Sequence, residues 1–278
     1  MTYKTILVHL SDEKTFEPML EVACNLARRF EAHLIGLFVV PTFVPPSAVE
    51  VPYSSELLEV NRKAQRQIAA RIKTAFEATV ANQSFVGEWR CADGAGRSVG
   101  EVVFEQARCV DLTILRQGGA EDSYSQNDVI ERTAFESGHP VLIVPTAGRF
   151  PTIGSKVLLA WNGRREATRA VWDALPLLQS AEQVHVLTVN PQKVAASADL
   201  PGSELAATLS RHGVNCETAH TITSELGVGD IMLNYTAENA IDLIVMGCYG
   251  HSRLRELVFG GATKNILEHM TAPVLMSH

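Results

Sequence analysis

Short apolar runs alternate with longer amphipathic stretches along the whole chain. From Lys4, "KTILVHLSDEKTFEPMLEVACNLARRF" opens on an apolar run, breaks at a polar turn and continues with helical spacing. Further runs follow at "HLIGLFVVP" (His33–Pro41), "VDLTILRQGG" (Val110–Gly119) and "HPVLIVP" (His139–Pro145). They are near-continuous in Val, Ile and Leu, as parallel strands buried on both faces are. Strand and helix in alternation predict βαβ units with right-handed crossovers in an open, twisted sheet.

The pattern is written twice. "SKVLLAWNGRREATRAVWDALPLLQSA" from Ser155 repeats the opening; "VHVLTVNP" (Val184–Pro191), "IDLIVMGCYG" (Ile241–Gly250) and "APVLMSH" (Ala272–His278) repeat the other three runs in the same order. This is a tandem duplication with about five strands per half, the usual size of such sheets. "TAGRFPTIG" (Thr146–Gly154) reads as a Pro/Gly linker, so domains are expected at 1–147 and 155–278. The first half carries an insertion after its second strand. Its prolines predict a loop, and the spacing of Leu57, Leu58, Ile68, Ile72 and Phe76 predicts a helix over Ser55–Val80.

Composition narrows the partners. The chain has 278 residues, a net charge of −7 and 46% hydrophobic residues, which excludes a disordered chain and argues against nucleic acid or an anionic membrane as main partner. No apolar run reaches the ~18–20 residues of a membrane helix, and the first residues lack a signal peptide's pattern. The five cysteines are scattered without C-x-x-C, as reduced thiols are, and a cytoplasmic location is expected.

In open α/β sheets, ligands bind beyond the carboxyl ends of the strands. In the second half those ends carry "AWNGRRE" and "VMGCYGHSRLRELVFGGATKNIL". Gly247, Gly250, Gly260 and Gly261 lack a β-carbon that would block a ligand. Ala262 and Thr263 lead into a helix whose first N–H groups suit an anion. The spacing Gly247-x2-Gly250-x9-Gly260 resembles the nucleotide signature of the universal stress protein family in its tandem form, with Gly261 where the family has Ser or Thr.

The resemblance spans nearly the whole chain. It implies an α/β fold of two tandem Rossmann-like domains (the HUP, adenine nucleotide alpha hydrolase-like, type). Each would hold a five-stranded parallel sheet flanked by helices, paired through the last strands (Pro140–Val144 and Pro273–Met276) as a pseudo-dimer. It further implies ATP, with or without Mg2+, or AMP or ADP as ligand. Gly247, Gly250, Gly260, Gly261, Ala262 and Thr263 would hold phosphates and ribose, Met246 would flank the nucleotide, and Val189 would offer backbone groups to adenine. Asn162 stands where ATP-binding members have an aspartate. Trp161 and His251 flank these positions and complete the candidate set, although Trp161 reads as packing and His251 as a loop residue. The resemblance leaves a homodimer of whole chains open.

The first half departs from this pattern: Arg116 stands at the place of Gly247, and Asn127 and Asp128 at those of Gly260 and Gly261. Asp128 is expected to cap its helix and to exclude a phosphate. The expected function is nucleotide binding in the second half with a stress-linked regulatory role. A nucleotide-independent scaffold is the alternative, and an adenylyl transferase lacks a His or Lys motif beside the glycines. No base or nucleophile suggests itself, so any hydrolysis is expected to be slow. "DGAGRSVGE" (Asp93–Glu101) resembles a dinucleotide loop but follows a third strand, and Asp111 and Asp242 read as residues that begin strands.

Overall fold

The computed structural model describes residues 2–42, 55–94, 96–119, 125–191, 202–248 and 261–278. The first half runs β1 (Thr5–His9), α1 (Phe16–Phe30), β2 (His33–Val40), α2 (Ser55–Val80), β3 (Gly87–Asp93), α3 (Val99–Ala107), β4 (Leu112–Arg116), α4 (Gln126–Glu136) and β5 (Val141–Val144). The second runs β6 (Lys156–Ala160), α5 (Arg165–Asp173), α6 (Leu175–Leu178), β7 (Gln183–Val189), α7 (Ser203–Arg211), β8 (Cys216–Thr221), α8 (Val228–Glu238), β9 (Leu243–Gly247), α9 (Gly261–His269) and β10 (Val274–Ser277). Besides the longer α2 of the first half, the second half has one extra helix among the described residues. Pro176 lacks the N–H that would continue α5, so α5 and α6 stand where the first half has α1 alone.

The ten strands of the described residues form one sheet in the order β3-β2-β1-β4-β5-β10-β9-β6-β7-β8. Within each half the pairing is parallel. The halves meet where β5 and β10 pair antiparallel, with Leu275 opposite Leu142. The pseudo-dimer implied by the sequence is therefore a single continuous sheet.

Alternate residues feed opposite faces. Ile6, Val8, Leu112 and Ile114 share one core with Val157, Leu159, Leu243 and Val245 of the second half. Leu7, Leu115 and Ile143 share the other with Leu158, Ile244 and Val274. Each such side chain, fully buried, stabilises by about 1.5–3 kcal/mol, so both cores bind the halves across the seam.

Matching aspartates align the central strands. Asp111 Oδ2 accepts the backbone N–H groups of Lys4 (2.7 Å) and Thr5 (2.8 Å) at the start of β1. Asp242 accepts those of Gly154, Ser155 and Lys156, each at 3.0 Å, ahead of β6. The "DGAGRSVGE" glycines have structural reasons. Ser98 and Glu101 form a capping box at the start of α3, and a side chain at Gly100 would stand 2.7 Å from Asp128 Oδ2 on α4. Gly229 plays the same part between α8 and Asn265 of α9.

Candidate functional site

The switch point of the second half lies between β6 and β9, whose chains leave in opposite directions. Trp161 and Asn162 follow β6, Val189 ends β7, Met246 and Gly247 end β9, and Gly261 begins α9. The fold brings these elements together at the carboxyl edge of the sheet. Gly250, His251 and Gly260 lie outside the described residues, as do Arg253 and Arg255.

The side chains have distinct surroundings. Trp161 packs half-buried against the core on the α5 side, and its backbone N–H donates to Leu187 O at 2.8 Å. Asn162 is exposed, and its Oδ1 accepts the Arg164 N–H at 3.0 Å, which closes a turn on itself. Met246 is buried on the α8–α9 side, Thr263 is buried, Ala262 is half-buried and Gly261 is exposed. Val189 is half-buried and pairs with Thr221 of β8.

Gly247 has a reason that spacing did not suggest. A β-carbon there would lie 2.4 Å from the Glu166 carbonyl carbon and 2.6 Å from the Ala167 nitrogen. The missing side chain lets the first turn of α5 come down onto the end of β9. Gly261 is different: a β-carbon there meets no described atom within 4 Å.

Thr188 is a residue that the sequence reading passed over. Its side chain is buried, and Oγ1 has no hydrogen-bond partner. It faces Gly202, where an added β-carbon would sit 3.7 Å from Thr188 Oγ1 and 3.7 Å from Trp161 Cδ1. Ser277, paired with Gly247 in the sheet, also buries a hydroxyl without a partner. A hydroxyl between the apolar Leu187 and Val189 of "VHVLTVNP" was the available signal. Cys248, next to the site, is no nucleophile: burial pushes its thiol up to about 12.

The first half has the same frame filled in. Strand registers equate Arg116 with Gly247, and Ser11 and Asp12 with Asn162 and Gly163. Arg116 is buried, donates from Nε to Ser11 Oγ (3.2 Å) and from Nη1 to Gln117 O (3.0 Å), and stands 3.6 Å from Asp12 Oδ2. Asp12 Oδ1 accepts the N–H groups of Lys14 (2.8 Å) and Thr15 (2.9 Å) ahead of α1. Burial alone would raise the Asp12 carboxyl; hydrogen bonds from Thr15, the Arg116 charge and the Lys14 N–H hold it below its ordinary value. Burial, then the Arg116 charge, pushes the His9 imidazole down to about 3.

The expected cap on α4 is corrected. Ser125 Oγ accepts the Asp128 N–H at 3.1 Å, and the Asp128 carboxylate instead takes Arg132 Nε at 2.8 Å. Asp128 sits one turn into the helix, where its neighbour four residues on is a better partner than its own N–H groups.

In the second half both members of the Asp12–Arg116 pair are glycines. Gly163 has φ +70, and α5 begins without a side-chain cap. The first turn of α9 holds no acidic residue. Among the described residues no group of three or more His, Cys, Asp or Glu side chains is placed to hold a metal ion, and no helix is long and apolar enough to cross a membrane.

Comparison with known proteins agrees with this architecture. Residues 155–278 match the model of the universal stress protein family. The universal stress protein Slr1230 of Synechocystis is 32% identical over 174 residues, covering 59% of this chain and 57% of that protein. A universal stress protein of Archaeoglobus fulgidus shares the fold over 98% of this chain and 97% of its own, with a TM-score of 0.66 at 14% identity. A candidate universal stress protein of Pseudomonas aeruginosa does so over 99% and 93%, with a TM-score of 0.62 at 15% identity. Residues 155–278 thus match the universal stress protein family, and the chain as a whole shares its fold with solved proteins of that name.

Proposed function

We propose that the second half binds an adenine nucleotide, ATP or its AMP or ADP relatives, at the carboxyl ends of β6, β7 and β9, and that this binding serves a stress-response role. One observation carries the reading. The acid–base pair Asp12–Arg116, which fills the first crevice, is replaced in the second by Gly163 and Gly247. An added β-carbon at Gly163 would meet no described atom within 4 Å, so space is left there, ahead of the uncapped start of α5, where N–H groups and the helix dipole favour an anion; the place at Gly247 is taken by the first turn of α5 itself. The buried, partnerless Thr188 hydroxyl beside Trp161 supports a polar ligand there. On this reading Gly163, Gly247, Gly261, Ala262 and Thr263 border the phosphates and ribose. Trp161, Asn162, Thr188, Val189 and Met246 border the nucleoside, and Gly250, His251 and Gly260, outside the described residues, complete the set that the resemblance implies. Mg2+ would arrive with the nucleotide. The first half is proposed to be self-occupied, with residues 1–147 and 155–278 as the two domains.

Gly163→Asp tests this directly, because it restores the residue of the first half at a φ that aspartate tolerates. Titration calorimetry with Mg-ATP is expected to show binding by the parent and a loss of at least about tenfold in the variant, since a carboxylate competes for the N–H groups and repels phosphate. Equal affinity would remove the site from this crevice. A nucleotide-independent scaffold is a second reading, favoured by Ile222, Leu226 and Val228, which are 77%, 52% and 41% exposed around the β8–α8 turn. Absence of Mg-ATP binding by the parent would select it.

A further inference from the structure

A cavity of about 310 Å3 lies at the amino-terminal end of the sheet, away from the crevices, between α1 and the segment that joins β5 to β6. Val22 and Leu26, both buried, form its floor, and Phe150 and Ile153 form apolar walls. Arg29 and Glu182 stand among its lining residues. The volume is at the lower end of the ~300–1,000 Å3 typical of small-ligand pockets, and such pockets favour the junctions between domains.

The walls are held in place. Asn25 Nδ2 donates to Pro151 O at 2.8 Å, Arg29 Nη1 donates to Ile153 O at 2.7 Å, and Asp242 accepts the N–H groups of Gly154 and Ser155 at 3.0 Å each. Gly154 takes φ +79, a left-handed conformation that favours glycine and turns the segment into β6. Arg29 also donates to Ser180 Oγ. A guanidinium has five N–H donors, so donors remain. Among the described residues no carboxylate oxygen lies within 4.0 Å of Arg29. The guanidinium thus has no contact ion pair among the described residues; the Asp242 carboxylate, held by backbone N–H groups, acts on it from beyond 4.0 Å. Glu182 contributes one negative charge to the lining, which disfavours a polyanion such as a nucleotide.

We infer that this cavity is a second ligand site, separate from the nucleotide crevice, for a small organic monoanion whose carboxylate meets Arg29 and whose apolar body lies between Val22, Leu26, Phe150 and Ile153. The site is built from both halves, because Arg29 belongs to α1 and Ser180 to the turn after α6.

Sodium octanoate is the probe, with 1-octanol as its uncharged counterpart, in titration calorimetry on the full chain. Octanoate is expected to saturate and to bind at least about tenfold more tightly than octanol, as a charge-assisted pair requires. Arg29→Gln is expected to erase that difference. Thr152→Trp, at an exposed lining position, is expected to block both probes while leaving the melting temperature and Mg-ATP titration of the parent unchanged. No saturation by octanoate in the millimolar range, equal binding of the two probes by the parent, or octanoate binding that survives Thr152→Trp would each overturn the assignment. If Arg29→Gln fails to fold, the parent's octanoate-to-octanol ratio and the Thr152→Trp variant still decide.

Discussion

A methyl group at position 247 would press on the Glu166–Ala167 backbone, which belongs to a helix start and has nowhere to yield. Gly247→Ala is therefore expected to cost about 1–3 kcal/mol, read as a lower urea midpoint. Gly261→Ala is expected to leave stability unchanged or raise it by up to about 1 kcal/mol, since position 261 is open and helical. The glycine spacing alone could not separate the two cases. The contact that demands Gly247 comes from residues some eighty positions earlier in the chain. Asp111 and Asp242 were legible as residues at the start of strands, but the N–H groups they take belong to β1 and to the approach to β6. His9 adds a pH effect. Its folded pKa of about 3 lies below the ordinary 6.5, so the unfolded chain binds the proton first. Its contribution to stability is complete above pH 6.5 and falls as the pH drops toward 3, by about 1.4 kcal/mol per unit. Urea midpoints at pH 7 and 4.5 are expected to diverge in the parent and to converge in His9→Leu.

Among the elements, α2 shows how far periodicity reaches. The helix spans Ser55–Val80, as the spacing of its apolar residues predicts. Among the described residues its buried apolar side chains lie in the later turns: Ala69, Ile72 and Phe76 are buried, and the Phe76 ring lies over Gly36 of β2 and beside Trp89, while Arg62 and Arg66 reach Asp93 of β3. Leu58 and Val60 are 42% and 65% exposed. Phe76→Ala is expected to cost about 3–5 kcal/mol and Val60→Ser less than about 0.5 kcal/mol in the same denaturation assay. An apolar stripe declares which face wants burial, but where the sheet ends beneath the helix depends on strand lengths elsewhere. The cap of α4 was misread for a related reason. Asp128 has the right chemistry, but Arg132 one turn on competes for it and Ser125 is better placed.

For the molecule as a whole, both cores cross the β5–β10 junction. Gln117 of the first half adds a bond from Nε2 to Leu267 O at 2.6 Å, at the end of α9. Calorimetry is expected to record one unfolding transition for the chain, and two resolved transitions would show that the halves melt independently. The doubling was legible in the four repeated strand runs. The junction was not, because strands of one apolar composition do not declare their neighbours; the family resemblance supplied it.

The same junction has an evolutionary consequence. In a symmetric dimer of separate chains every substitution appears on both sides, so a change that spoils a crevice spoils two. With β5 and β10 joined in one polypeptide, each side mutates alone while the other keeps its duty, and the ratio between them is fixed at synthesis. The buried Arg116 on one side and Gly247 on the other show how far the two crevices have diverged while eight strand residues, four from each of β5 and β10, keep them joined.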